Sequence, residues 1–193
     1  MYKLKIIGAT VRPSRQGPFI IEWVAEQARA HGAFIVEVLD LQHINLPLMD
    51  EPNHPALQQY TQEHTRQWSR QIATADAFIF VTAEYNFSYP APLQNALEYL
   101  VHEWAYKAAG IVSYAGVSAG TRAWNALKSD LPSYRVVPLV EAVHIPFFTQ
   151  FIQDEQFVAS DITKTAMTAL LNELVRWTKA LKTLREPVLM PAG

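Results

Sequence analysis

The strongest constraint on this fold is the run Ala77-Phe78-Ile79-Phe80-Val81. It is aromatic and β-branched with no polar residue in alternation, so it reads as a strand covered on both faces. Such a strand belongs to a parallel sheet flanked by helices. The chain continues Ala83-Glu84-Tyr85-Asn86-Phe87-Ser88-Tyr89-Pro90-Ala91-Pro92-Leu93. Pro90 or Pro92 opens a helix there, because proline is tolerated in a first helical turn. A loop of rings, amides and one carboxylate thus sits where a parallel strand ends and a helix begins. Open α/β sheets bind ligands at such places. The rings suit a planar ligand, and the amides suit its polar edge.

The same reading predicts strands over 2–8, 34–39, 77–82, 110–114 and 136–143. Helices are expected over 19–30, 56–75, 93–106, 119–129 and 161–184, with His31-Gly32 as a stop and Asp161 as an N-cap. Leu57, Tyr60, Trp68 and Ile72 are expected to face inward from the second helix. Ile162, Leu170, Leu174, Trp177 and Leu181 recur at helical spacing in the last. Strand and helix alternate about five times, which implies an α/β, doubly wound parallel sheet in one domain over 1–193. Residues 186–193 are expected to fray or to pack on a neighbour.

Composition removes several classes of function. A net charge of -2 leaves no basic excess for a nucleic-acid partner. The absence of cysteine excludes disulfides, thiolate nucleophiles and thiolate metal sites. No apolar run approaches the roughly 20 residues of a membrane span. The start, Met1-Tyr2-Lys3-Leu4-Lys5, has no signal-peptide pattern, so the expected compartment is the cytoplasm.

Two further loops carry chemistry. The first, Gly8-Ala9-Thr10-Val11-Arg12-Pro13-Ser14-Arg15-Gln16-Gly17, combines hydroxyls, two guanidinium forks and a following helix N-terminus. That donor set suits a phosphate; composition alone fits a solvated polar loop equally, and the position after the first strand favours the anion. Neither GxxxxGK[ST] nor GxGxxG is present, so a mononucleotide fits better than a dinucleotide. The second loop, Ser113-Tyr114-Ala115-Gly116-Val117-Ser118-Ala119-Gly120, contains a GxSxG match between a strand and a helix. A serine esterase built on Ser118 is therefore an alternative, with Asp130 or Glu141 as acid and His144 as base. Against it, Glu141 and His144 share one strand and no HGGG-like segment precedes. His102-Glu103 begins an HExxH pattern, but Tyr106 holds the second histidine position, so zinc is not expected. Asp50-Glu51 reads as solvated. Trp23, Trp68, Trp124 and Trp177 read as core.

Taken together, the three loops resemble those of the NADPH-dependent FMN reductase family, flavodoxin-like proteins that include quinone, chromate and azo-dye reductases. The family's second loop reads P-E-Y-N-x-S-x-P-x-x-L-K-N-A-L-D. Here Ala83, Gln94 and Glu98 replace the proline, lysine and aspartate, and the rest stands. The first loop keeps Thr10, Arg12 and Arg15 of G-S-x-R and its continuation, and the third keeps Ser113-Tyr114, Gly116 and Gly120-Thr121-Arg122-Ala123. The resemblance implies a five-stranded sheet in the order 2-1-3-4-5. It implies FMN with its phosphate at Thr10, Arg12, Arg15, Gln16 and Gly17. The flavin ring would lie against Glu84, Tyr85, Asn86 and Phe87, with Ser113, Tyr114, Ala115 and Gly116 opposite. NADPH or NADH would deliver hydride to the flavin, and a small acceptor such as a quinone, azo dye, metal oxyanion or free flavin would remove it. No catalytic side chain is required. The resemblance also implies a homodimer or homotetramer, with Trp104 and Tyr106 at its interface.

Overall fold

The structure is a computed structural model that describes residues 1–185; the tail expectation for 186–193 lies outside them. Five parallel strands, β1 (Tyr2–Gly8), β2 (Phe34–Asp40), β3 (Ala77–Ala83), β4 (Lys107–Tyr114) and β5 (Val136–Ile145), form one sheet. Their order is β2-β1-β3-β4-β5, as the resemblance implied. Pairing of Gly8 with Val81, and of Ala83 with Tyr114, brings the carboxyl ends of β1, β3 and β4 to one edge.

Alternation along β3 builds the two halves of the core. Ile79 and Val81 face a layer made by α1 (Gly17–His31) and α6 (Asp161–Lys182). Phe78 and Phe80 face α3 (Glu63–Ala73), α4 (Ala91–Glu98) and α5 (Thr121–Asp130). A single turn, α2 (Leu41–Ile44), follows β2. Helices therefore cover both faces, which is why β3 and β4 are buried along their whole lengths.

Several boundaries differ from the sequence reading. The helix expected from 56 begins at Glu63. Residues Pro55–Leu57 make one 3-10 turn that Gln58 ends at φ 51, and Leu57 is exposed. Glu51 is not merely solvated, because its carboxylate accepts from the amides of Thr61 and Gln62 at 2.7 and 2.9 Å and so organises the entry to α3. The helix expected to reach Tyr106 stops at Glu98. Beyond it the chain folds back, and the Trp104 indole donates to the Leu97 carbonyl at 3.1 Å.

Trp104 is fully buried against Phe78 and Trp68, so it is core and not an interface residue. The N-cap of α6 is Ser160, which accepts from the Thr163 amide, rather than Asp161. Ile162 and Trp177 share the apolar spacing of α6 yet are exposed. A short antiparallel hairpin, β6 (Ile152–Gln153) and β7 (Gln156–Phe157), has no counterpart in the sequence reading; it sets Phe157 edge-on against Trp23 at 5.2 Å. Among the described residues no helix is long and apolar enough to cross a membrane.

Candidate functional site

The three loops at the carboxyl edge of the sheet converge. In the first, the Ala9 amide still pairs with the Val81 carbonyl, so the chain leaves β1 alongside β3. Thr10 is buried, its Oγ1 3.4 Å from the Tyr114 hydroxyl. Gly17 starts α1 beneath them. A Cβ there would lie 2.5 Å from Tyr114 Oη and 2.7 Å from Thr10 Oγ1, so only glycine lets the helix start this close to β4. The first turn of α1 has no side-chain cap and no acidic residue. Pro18 carries no N–H and the Phe19 amide donates to the Gln16 carbonyl at 3.3 Å, so the Gly17 amide and the helix dipole supply the field that favours an anion.

The two arginines of this loop divide. Arg15 grips Asp40 with both nitrogens, at 2.8 and 2.6 Å, and donates to the Thr10 carbonyl at 2.7 Å. Its charge is matched by a carboxylate, while the residue still lines the cleft. Arg12 is exposed, lies 5.9 Å from the Tyr85 ring centroid and forms no ion pair among the described residues. Gln16 Oε1 is buried without a hydrogen-bond partner.

The second loop is a tight two-residue turn. Tyr85 and Ser88 exchange both backbone hydrogen bonds, at 2.8 and 3.0 Å. Asn86 and Phe87 take φ 49 and 70, the pattern of a type I′ hairpin. Tyr85 then lines the cleft, while Asn86 and Phe87 are carried outward and exposed. Asn86 and Phe87 are not among the residues that line the cleft. The Glu84 side chain is nearly buried, and Arg122 Nε donates to it at 2.6 Å. Burial raises its pKa, but hydrogen bonds from Arg122 and Ser118 and the Arg122 charge outweigh this and hold it below the ordinary carboxylate value.

In the third loop Ser113 is buried, donating to the Ala119 carbonyl at 2.9 Å and meeting His144 Nδ1 at 2.8 Å. Its side chain therefore faces away from the cleft contacts expected of it. Burial pushes the Tyr114 phenol up to about 12, so it stays neutral. Gly120 takes φ 78, and a Cβ there would lie 2.7 Å from the Tyr114 amide, so this glycine fixes the turn.

The result is a cleft of about 600 Å³, within the range of small-molecule sites. Of the expected residues, Arg12, Arg15, Gln16, Glu84, Tyr85, Tyr114, Ala115 and Gly116 line it. Thr10 and Gly17 sit directly beneath Tyr114. Sequence reasoning missed Phe148 and Thr149, which close the far wall. Phe148 packs edge-on against Tyr114 at 4.9 Å. The only signal was the aromatic pair Phe147-Phe148 directly after a strand. A second cleft of about 530 Å³ beside β2 is lined by Glu22, Glu37 and Asp40, which would repel a phosphate. The first cleft fits FMN better: the Arg12 guanidinium and the start of α1 lie at one end, and aromatic walls run along the rest.

The esterase alternative finds no support. Ser118 Oγ accepts a long bond from the Gly120 amide, at 3.4 Å, its hydroxyl donates to the Glu84 carboxylate, which is already paired with Arg122, and the one histidine in the region is bonded to Ser113. No histidine is placed to deprotonate Ser118.

The sequence profile of the NADPH-dependent FMN reductase family matches residues 2–150. The chain belongs to that family. It is 42% identical over 148 residues to an NAD(P)H-dependent FMN reductase of Schizosaccharomyces pombe, covering 75% of this chain and 74% of that protein. A probable NADPH:quinone oxidoreductase of Oryza sativa subsp. japonica is 34% identical over 91 residues, 45% of this chain and 41% of that protein. The fold matches a flavoenzyme NAD(P)H:(acceptor) oxidoreductase from Paracoccus denitrificans with a TM-score of 0.74, at 20% identity, over 93% of this chain and 98% of that one. Family membership makes the chain an oxidoreductase that works with FMN and a reduced nicotinamide.

Proposed function

We propose that the cleft between Arg12 and Phe148 holds FMN, and that the chain passes hydride from NAD(P)H through it to a small flat acceptor, quinones foremost. The observation that carries this reading is the pairing, in one cleft, of the Arg12 guanidinium and the start of α1 with the Tyr85 ring. The naming of the rice relative as a quinone oxidoreductase supports the acceptor class. We extend the proposal to one domain acting in the cytoplasm as a homodimer or homotetramer.

FMN, when bound, supplies the two-electron chemistry. The protein's part is to hold and orient. The Gly17 amide and Arg12 take the phosphate. Tyr85 and Phe148 present apolar faces to the ring, and the backbone of Ala115 and Gly116 offers polar groups to its edge. Neither Tyr114 nor Glu84 serves as an acid or base near pH 7. Tyr114 stays protonated at about 12, and Glu84 stays ionised in its pair with Arg122.

Steady-state kinetics test the reading. NADPH and a benzoquinone varied against each other should give parallel double-reciprocal lines, because nicotinamide must leave before the acceptor enters the same cleft. Absence of acceptor-dependent NADPH oxidation by FMN-loaded protein would refute it.

A further inference from the structure

On the rim of the cleft lies a residue pair that the packing does not require. Phe87 is 67% exposed and sits at φ 70, a conformation unfavourable for a residue with a β-carbon. The Arg122 guanidinium lies over it, Cζ 4.0 Å from the ring centroid. Glu84 anchors the arginine twice, through Nε at 2.6 Å and the backbone amide at 3.2 Å. The terminal nitrogens of Arg122 donate to no described residue, and its side chain is half exposed. A guanidinium fixed on one edge by a carboxylate and on one face by a ring loses little freedom when its other edge binds a phosphate.

The position gives the pair a use. Strand order places the β3 loop between the β1 loop, which carries Arg12, and the β4 loop, which leads to Arg122. The cleft therefore has the unpaired Arg12 on one flank and, beyond the other, Arg122, which is paired with Glu84 through Nε but keeps its terminal nitrogens open. The flavin phosphate accounts for Arg12 alone. A nicotinamide stacked on the flavin must lead its adenosine half out over the rim, and NADPH carries there a phosphomonoester dianion that NADH lacks. We propose that Arg122, held on Phe87, is the subsite for the adenosine 2′-phosphate and makes the chain prefer NADPH to NADH. This rests on the reading that FMN occupies the cleft.

Calorimetry on the FMN-loaded full chain tests the subsite without turnover, using adenosine 2′,5′-bisphosphate and 5′-AMP as probes. The bisphosphate is expected to bind roughly tenfold or more tightly than AMP, as one charge-assisted bidentate contact allows. Arg122→Gln should bring the two affinities together. Because Arg122 also supports Glu84, Phe87→Ala provides a second variant that leaves that ion pair in place, and it should lower the same ratio. Equal binding of the two probes by the parent would overturn the proposal. So would a ratio unchanged in both variants. Failure of the parent to bind FMN at all, read by absorbance before any nucleotide is added, would instead overturn the assignment of the cleft.

Discussion

Arg15 and Asp40 form a two-pronged ion pair at 2.8 and 2.6 Å, which ties the first loop to the end of edge strand β2. Both side chains are largely buried, and Asp40 also accepts from the Gln42 amide at the start of α2. The two arginines of one loop therefore do different work. Arg15→Ala leaves a buried carboxylate unpaired and should cost about 3 kcal/mol of stability in urea unfolding. Arg12→Ala should leave stability within about 0.5 kcal/mol. It should weaken FMN binding by roughly 1.5–3 kcal/mol through loss of one charge-assisted bond. Flavin titration and unfolding on both variants check this, and a reversed ranking would contradict it.

Gly17→Ala should fail for a steric reason. The new methyl would meet Tyr114 Oη at 2.5 Å and Thr10 Oγ1 at 2.7 Å. Both neighbours are buried in the floor of the cleft. Overpacking of this kind costs about 1–3 kcal/mol. The start of α1 must shift as well, so FMN affinity should fall together with the melting temperature. A variant with parental values of both would show that the floor is softer than its packing implies.

Lys107 gives the stability a pH dependence. Its Nζ is buried at the start of β4, donating to the carbonyls of Ile72 and Glu103 at 2.7 Å each and of Ala73 at 3.2 Å. Burial pushes its pKa from 10.5 down to about 7. Above pH 7 the folded chain releases a proton that the unfolded chain keeps, so this group makes stability rise between pH 7 and 9. The slope is at most about 1.4 kcal/mol per pH unit. Below pH 7 both states hold the proton and the slope vanishes. Urea unfolding across pH 6–9 should show the rise in the parent and lose it in Lys107→Met; parallel curves for the two would contradict the assignment.

Ser118→Ala tests the discarded hydrolase. His144 is bonded to Ser113 and the Glu84 carboxylate beside Ser118 is held ionised by Arg122, so no described histidine serves Ser118 and any hydrolysis of an activated ester should be the same in parent and variant. NADPH oxidation should also be unchanged. A specific loss of esterase activity would restore the serine to a chemical role.

The buried strands were legible because covering both faces of β3 demands an unbroken apolar run, and no other placement suits Phe78-Ile79-Phe80. Local pattern failed where a distant group set the boundary. The start of α3 depends on Glu51, more than ten residues upstream, and the end of α4 on an indole that returns to the Leu97 carbonyl. Spacing could not tell Arg12 from Arg15, because the difference is a carboxylate 25 residues away. Phe148 was invisible as a cleft residue, since only tertiary folding brings the segment after β5 against Tyr114. The motif loops themselves were legible by resemblance, but not the side of the turn on which Asn86 and Phe87 emerge.

The central claim is that the cleft holds a flavin that a nicotinamide can reduce. An anaerobic visible spectrum of the purified chain with FMN, followed by addition of NADPH, tests it most directly. Flavin absorbance that remains with the protein through gel filtration and bleaches with one equivalent of NADPH is the expected result. Flavin that separates completely from the protein at any concentration, or that stays oxidised beside excess NADPH and NADH, would contradict the account.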